Sequence, residues 1–395
     1  MADLQAELDT AAEAGELDRP SARSPEPPPI SEPPPAHEAL PAHEAAPGTR
    51  TGPEPRKRQL GPEPPAPDPL RLARALLAAH PVADGCSGLP WALRGLRWYD
   101  LELGDSAVEA DVPRLRAGGV GAQFWSVHVP ESVTGDRVLG ATLEQLDLAK
   151  HVIARYSEGL RLAHTASEVA DARHCGRIAA LIGPARGEAI GDSLATLRAL
   201  HTLGLCSLTL SGTSWAGPEG LTPFGEEVVR ELNRLGVLAE LSGASEATAR
   251  QVLTISRAPA LFTRSGARAL RDAPGNLPDD LLAAVGAAKG LCLVPLAAEQ
   301  TGSSISEVAD HLDHVRRLAG PECVGLSGTY DTSAPHPEGL ADTSRYPHLV
   351  AELMERDWPD DDLARLTWGN VQRVLRGADF AARAARERLR QQTQG

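Results

Sequence analysis

Short apolar runs alternate with stretches of helical periodicity over residues 71–395. Between most of the runs, apolar residues recur every three or four positions, as in Leu194–Leu203, Glu226–Leu235 and Ser306–Leu318. Near-continuous apolar strands that alternate with amphipathic helices are typical of a parallel sheet covered by helices. The predicted strands are Pro81–Asp84, Gly121–Val127, Ile178–Ile182, Cys206–Leu210, Val237–Leu241, Ala260–Thr263, Leu291–Leu296 and Cys323–Leu326.

Eight such strand–helix units predict an α/β fold of the (β/α)8, or TIM, barrel type, whose usual length is about 250 residues plus insertions. The alternative is a doubly wound open sheet, which favours a glycine-rich turn after its first strand. The sequence contains neither GxGxxG nor GxxxxGK[ST], so the barrel is favoured. In such a barrel the chemistry lies at the C-terminal ends of the strands.

The first 70 residues differ in composition from the rest. They hold 17 of the 33 prolines and carry 13 acidic against 6 basic residues, which is −7 of the net charge of −14. Such a segment buries too little apolar surface to offset its ordering entropy, so we expect residues 1–70 to be a disordered, Pro-rich tail. Its proline runs could bind an aromatic groove and Arg56-Lys57-Arg58 could be a targeting patch, but solvated linker is favoured. We expect the barrel at 71–375 and an Arg-rich helix at 376–395.

Charge and hydropathy exclude several classes of protein. The negative net charge opposes nonspecific binding to nucleic acid or to an anionic membrane. No window has the unbroken apolar length of a spanning helix, and neither end reads as a secretory signal or a lipid-anchor signal. We therefore expect no membrane segment and a cytoplasmic location. The five scattered cysteines predict small buried residues rather than a disulfide framework.

The residues that follow the predicted strands would line the barrel mouth. A hydrolytic metal site needs three or more converging ligands, and no two residues among Cys86, His128, Glu188 and Asp331 share a loop at ligand spacing. These residue types by themselves predict no metal site. The candidate pocket consists of Cys86, His128, Arg186, Glu188, Gly212, Arg264 and Asp331.

Several segments nevertheless resemble the membrane dipeptidase (renal dipeptidase) family, over about Leu72 to Val374. The resemblance implies a (β/α)8 barrel that contains two zinc ions, hydrolyses dipeptides and forms dimers. The matching segments are Leu115-Arg116-Ala117-Gly118, Gly121-Ala122-Gln123-Phe124-Trp125-Ser126, Glu231-Leu232-Asn233-Arg234-Leu235-Gly236, Ser256-Arg257-Ala258-Pro259, Asn276-Leu277-Pro278-Asp279-Asp280 and Val308-Ala309-Asp310-His311-Leu312-Asp313-His314.

The resemblance also assigns the positions of the family's zinc ligands. Only Cys86 could bind zinc, as a thiolate, and Arg264 would oppose a dication. The family's catalytic Asp falls at Thr329, and its substrate-contacting His and Arg fall at Gly212 and Gly275. We therefore expect no zinc, no other cofactor and no catalytic residue in this chain. The six former ligand positions are Cys86, Gly88, Ala185, Gly243, Arg264 and Thr329.

Three functions remain open. The first is a catalytically inactive dipeptidase-like barrel that acts as a binding or scaffold protein, as a homodimer or in a heterodimer with an active dipeptidase. The second is a metallodipeptidase with a rearranged or residual zinc site. The third is a sensor of a small anionic molecule held by Arg264 and Arg186, although ion pairs of these arginines with Glu188 or Asp331 are favoured over a free site.

Three further expectations concern single residues and location. A thiol–imidazole pair of Cys86 and His128 is conceivable, but an inert thiol is favoured. His311 and His314, spaced three apart, predict a solvated or capping helix face rather than a metal pair. If the sequence lacks terminal segments, the alternative to a cytoplasmic location is the membrane or extracellular location of the family.

Overall fold

The computed structural model describes residues 68–104 and 107–394. The predicted tail therefore lies outside the described residues, apart from residues 68–70. Asp68 caps the first helix, because its side chain accepts a hydrogen bond from the Leu70 N–H, and Pro69 occupies the first helical position.

The described residues form eleven strands. All pairings in the main sheet are parallel, whereas β6 and β7 form a separate two-stranded antiparallel hairpin. The strands are β1 Val82–Ser87, β2 Val120–Val127, β3 Leu160–Leu162, β4 Ile178–Arg186, β5 Ser207–Thr209, β6 Ala216–Gly217, β7 Gly220–Leu221, β8 Leu238–Glu240, β9 Leu261–Phe262, β10 Leu291–Pro295 and β11 Val324–Ser327.

The main sheet closes into a barrel of eight strands. Its order is β2-β1-β11-β10-β9-β8-β5-β4, and β2 pairs with β4 to complete the ring. The predicted (β/α)8 barrel is confirmed, and the open doubly wound sheet is wrong. Each of the eight predicted runs overlaps a barrel strand. The short β3, which pairs with the first residues of β4, was not predicted.

Helices surround the barrel in the part of the chain that the structure describes. None of these helices is both long and apolar enough to cross a membrane. The helices are α1 Pro69–Ala79, α2 Leu89–Arg94, α3 Val112–Ala117, α4 Arg137–Arg155, α5 Ala166–His174, α6 Leu194–Thr202, α7 Pro223–Leu235, α8 Glu246–Ile255, α9 Asp279–Ala287, α10 Ala298–Thr301, α11 Ile305–Ala319, α12 Tyr346–Glu355, α13 Asp360–Ala364 and α14 Asn370–Gln394.

The end of the barrel at which the strands begin is closed by α14. Val371, Val374, Leu375 and Ala378 are buried there in one apolar cluster with residues of β1, β2, β4 and β8 to β10. The helix begins at Asn370, within the range expected for the barrel, because its first turns are part of this core. The opposite end, at which the strands finish, stays open as the mouth.

Candidate functional site

A buried carboxylate organises the mouth where β1, β2 and β11 meet. Asp84 on β1 accepts hydrogen bonds from the Gln123 side chain (2.8 Å), the Gly328 N–H (2.6 Å) and the Cys86 N–H (3.2 Å). Burial raises the pKa of Asp84, and these hydrogen bonds oppose the increase. The contacts fix the backbone that carries Cys86, Gly88 and Thr329.

At Gly88 the backbone of a neighbouring loop occupies the space that a side chain would fill. The Gly88 N–H donates to the carbonyl oxygen of Tyr330 (2.7 Å). A Cβ atom on Gly88 would collide with the carbonyl oxygen of Asp331. An aspartate therefore cannot replace Gly88 unless the loop after β11 moves.

The other positions at which the resemblance places zinc ligands supply little that could hold zinc. Ala185 is fully buried, and Gly243 adopts a φ of 77°, which is unfavourable for residues with a side chain. Thr329 is buried, and its hydroxyl donates to the carbonyl oxygen of Gly328. Among the described residues, no group of three or more His, Cys, Asp or Glu side chains could hold a metal ion. The donor set does not fit a binuclear zinc centre.

Two adjacent cavities open at the mouth and share Arg264 and Glu299. The larger has a volume of about 470 Å³, and its lining includes Cys86, His128 and Asp331. The smaller has a volume of about 340 Å³ and is lined by Gly243 and Gly275 among others. The structure therefore brings Cys86, His128, Arg264 and Asp331 of the predicted pocket together.

Arg264 presents its charge to both cavities. Its backbone N–H donates to the Ser242 hydroxyl (2.9 Å), and its carbonyl oxygen accepts from Gln300 (3.2 Å). The side chain is exposed, and its guanidinium forms no ion pair or hydrogen bond within the described ranges. The expected ion pair of Arg264 with Asp331 is not formed.

Arg186 and Glu188 pair with each other beside the mouth. The Arg186 guanidinium donates to both carboxylate oxygens of Glu188, at 2.7 and 2.6 Å. It also donates to the carbonyl oxygens of Val129 and Pro130, at 3.2 and 3.0 Å. The favoured expectation for Arg186 is confirmed: its charge is matched internally. Gly212, with a φ of 69°, lies beside this pair, since a Cβ atom added to it would come within 3.9 Å of Glu188 Oε1.

Cys86 and His128 line the same cavity, but no hydrogen bond joins them in the described structure. Burial raises the pKa of the Cys86 thiol to about 11, although the positive charge of Arg264 lowers it. Burial and then the charges of Arg264 and Arg186 lower the pKa of His128. His128 packs edge-to-face on Trp91, with ring centroids 5.4 Å apart. A protonated thiol beside a neutral imidazole lacks the thiolate that nucleophilic catalysis requires.

Asp331 is held by a residue that lies far away in the sequence. Its Oδ1 accepts from the Glu109 N–H (2.7 Å), and its own N–H donates to the Glu109 carboxylate (2.7 Å). Its Oδ2 is buried and has no hydrogen-bond partner in the part of the chain described. Burial raises the pKa of Asp331 to about 7; the backbone N–H groups of Glu109 and Ala110 oppose this increase, whereas the Glu109 carboxylate adds to it.

His336 completes the support of this loop. Its Nε2 lies 3.1 Å from Glu109 Oε2, and its Nδ1 lies 2.7 Å from the carbonyl oxygen of Leu296. Burial lowers the pKa of His336, but the contact with Glu109 outweighs this effect, so the pKa is raised overall. The strand-end patterns did not single out Glu109 or His336, because both lie in irregular segments.

Glu240, also not singled out from the sequence, ties β5, β8 and β9 together below the mouth. It is 1% exposed and accepts from the backbone N–H groups of Ser242 (2.8 Å) and Thr263 (3.0 Å). The hydroxyls of Thr263 (2.9 Å) and Thr209 (2.7 Å) also donate to it. Four donors compensate the burial of this charge, so its role is structural. The one sequence feature that could have indicated Glu240 is its position as an acidic residue inside an apolar run.

His311 and His314 form no metal pair. The N–H of Ala267 donates to His311 Nδ1 (3.0 Å), and His314 Nε2 lies 2.8 Å from the Asp279 carboxylate. Both rings are largely buried, at 3% and 8% exposure, rather than solvated as expected. They attach α11 to its neighbours.

Comparison with known proteins reveals one family. The family model for membrane dipeptidases (peptidase family M19) matches residues 70–389. Dipeptidase 3 of Macaca fascicularis is 38% identical over 332 residues, which cover 78% of this chain and 67% of that protein. Dipeptidase verJ of Clonostachys rogersoniana is 35% identical over 339 residues, or 78% of this chain and 87% of that protein. The chain thus spans about two thirds of the length of the Dipeptidase 3 relative.

Solved structures agree with this similarity. A metallopeptidase from Rhodobacter sphaeroides, crystallised with a phosphinate mimic of the dipeptide L-Ala-D-Ala, has a TM-score of 0.65 at 26% identity. The match covers 75% of this chain and 99% of that chain. A structure described as dipeptidase AC of family M19 has a TM-score of 0.67, also at 26% identity.

Proposed function

Because this chain belongs to the membrane dipeptidase family, peptidase family M19, we propose that it is a catalytically inactive member that acts by binding. The observation that carries the proposal is the chemistry of the six former ligand positions. Three of them have no donor side chain, and a fourth, Arg264, is a cation. A zinc-activated water needs several ligands that converge on one ion, and these residues cannot provide them.

The competing function is a metallodipeptidase with a rearranged zinc site. The names of the relatives support it, since they are called dipeptidases. It would require new ligands at the mouth, where Cys86, His128, Asp331 and Glu299 line one cavity. Arg264 lies among them and would repel a dication, and the Cys86 thiol is held protonated by burial.

Metal content and hydrolysis together test the proposal. The full chain is incubated with zinc, desalted and analysed for metal, and hydrolysis of L-Ala-D-Ala is assayed in the same preparation. We expect almost no bound zinc and no turnover, in protein that unfolds cooperatively by circular dichroism. About two zinc ions per chain together with dipeptide turnover would overturn the proposal.

Two forms of binding are compatible with this proposal. A scaffold would form a homodimer or pair with an active dipeptidase, which light scattering on the purified chain and on a mixture with such a relative would detect. Binding of a small anionic molecule at the mouth is favoured by one observation: Arg264 has no ion-pair partner among the described residues and faces both cavities. Such a ligand would raise the melting temperature in a concentration-dependent manner.

A further inference from the structure

The larger mouth cavity presents charges of both signs. Arg264 and Glu299 both line this space of about 470 Å³, and Asp331 borders it with its Oδ2 atom buried. Glu299 is exposed, and within the described ranges its carboxylate makes no hydrogen bond or ion pair. A ligand in this cavity therefore meets one exposed guanidinium and one exposed carboxylate.

Asp331 adds an unsatisfied buried acceptor. Its Oδ1 is used by the Glu109 N–H, whereas Oδ2 has no hydrogen-bond partner in the described structure. Because Oδ2 has almost no accessible surface, Asp331 does not offer this atom to a ligand in the cavity. The carboxylate that can accept from a ligand is the exposed one of Glu299.

Neither a polyanion nor a simple cation matches this arrangement. A phosphate or a tricarboxylate on Arg264 would be repelled by Glu299, and an amine would be repelled by Arg264. A ligand with one group of each sign pairs all of these charges. This inference rests on the proposed loss of zinc, since Arg264 occupies a former ligand position.

We propose that the larger mouth cavity binds a free α-amino acid, with its carboxylate on Arg264 and its ammonium group on Glu299. The guanidinium can receive the carboxylate through two parallel hydrogen bonds. The ammonium group donates to the exposed carboxylate of Glu299. Trp91 and Ala92 also line the cavity and provide apolar surface for the ligand's side chain.

The smaller cavity favours a short ligand over a longer one. Apart from the shared Arg264 and Glu299, it is lined by uncharged residues, among them Ser242, Gly243 and Gly275. A dipeptide that extended into it would find no further charged group to anchor its distant terminus. Both charged groups of the ligand must then bind within the larger cavity. A ligand in which a single carbon separates the ammonium group from the carboxylate satisfies this condition.

Calorimetric titration of the full chain tests this inference. Each of the twenty standard L-amino acids is titrated separately, followed by three analogues of the tightest binder. These are its N-acetyl derivative, which keeps only the carboxylate, its amide, which keeps only the ammonium group, and its homodipeptide. Inorganic phosphate is the fifth probe. We expect one or more amino acids to bind, and the other four probes to bind at least tenfold more weakly.

Variants identify the groups that make the contacts. Arg264→Met is expected to weaken amino-acid binding at least tenfold, and Glu299→Gln to weaken it severalfold while leaving binding of the N-acetyl derivative unchanged. Arg74→Met, which removes one exposed arginine from α1 outside the mouth, is the charge-matched control and should bind as the parent does. Glu299 is exposed, so its variant separates loss of the ammonium contact from loss of folding.

Several outcomes would overturn the inference. Phosphate or the N-acetyl derivative binding as tightly as the amino acid would make the cavity a plain anion site. Preference for the dipeptide would mean that the ligand extends into the second cavity. Binding by no amino acid would exclude the inference as well. If zinc is absent and dipeptides are not hydrolysed, the proposed inactivity stands in each of these cases. Zinc-dependent turnover would instead overturn both the proposed inactivity and this inference.

Discussion

At the scale of single residues, two features of the mouth oppose a metal ion: Gly88 has no side chain, and Arg264 carries a positive charge. The Asp331 carbonyl occupies the space beside Gly88, so a metal-ligating side chain at this position would also be excluded sterically. Arg264 places a cation where a metal ligand is expected from the family resemblance. Because both residues line the same cavity, introducing a ligand at one of them would not by itself create a metal site.

One residue-scale prediction concerns His311, whose ring is 3% exposed and accepts the Ala267 N–H. Burial, and then the neighbouring His314, lower its pKa from 6.5 to about 4. Below pH 6.5 His311 takes up a proton in the unfolded chain but stays neutral in the folded chain. The unfolding free energy should therefore fall as the pH decreases to about 4. The loss is on the order of 3 kcal/mol.

Urea unfolding between pH 7 and pH 4.5 measures this effect. Other groups titrate in the same window, so the informative quantity is the difference between parent and variant. His311→Gln should flatten the pH dependence, whereas His151→Gln, at an exposed site on α4, should not. An unchanged slope in His311→Gln would contradict the assignment.

At the scale of elements, helix ends are determined by local side-chain chemistry. α11 begins with a capping box: the Ser304 hydroxyl accepts the Glu307 N–H (3.3 Å), and the Glu307 carboxylate accepts the Ser304 N–H (3.0 Å). α7 begins with Pro223 after the capping Thr222 and ends at Leu235, where it is capped by Gly236 with a φ of 83°. These signals explain why both periodic segments became helices near their predicted bounds.

We predict that Ser304→Ala lowers the unfolding free energy by about 1 kcal/mol, because the first turn of α11 loses its side-chain acceptor. Ser304→Thr keeps a hydroxyl and should cost only a few tenths of that amount. Chemical denaturation of the two variants beside the parent measures the difference. Equal losses in both variants would show that the hydroxyl is not the stabilising group.

At the scale of the whole molecule, the two ends of the barrel have different roles. α14 closes the end at which the strands begin with an apolar cluster, and the other end is open and lined by charged and polar residues. Core packing therefore stabilises one end and leaves the other free for binding. A barrel can in this way keep its fold while the chemistry of its mouth changes.

The closing role of α14 predicts unequal effects of two large apolar residues on the same helix. Leu375 is 3% exposed and Phe380 is 67% exposed. Leu375→Ala should lower the unfolding free energy by about 2–4 kcal/mol, since it leaves a cavity in the closed end. Phe380→Ala should change it by less than about 0.5 kcal/mol. Thermal and urea unfolding of both variants provide the comparison, and similar losses would contradict the closing role.

Periodicity and residue identity alone determined much of this protein. Eight apolar runs predicted the barrel strands, and the 3.6-residue repeat between them predicted the helices. Both patterns are local properties of the chain. The absence of donor side chains at Ala185 and Gly243 could likewise be read without coordinates, once the family resemblance had identified these positions. The short β3 escaped notice because three residues are too few to show a repeat.

Only the tertiary structure decided how the mouth residues pair. Arg186 turned to Glu188 two positions away, whereas Arg264 stayed without an ion-pair partner among the described residues, although both were candidates for the same role. Glu109 holds Asp331 from 222 positions away, and the Asp331 carbonyl occupies the space beside Gly88. Such pairings depend on distances through space, which closure of the barrel sets and which no local pattern encodes.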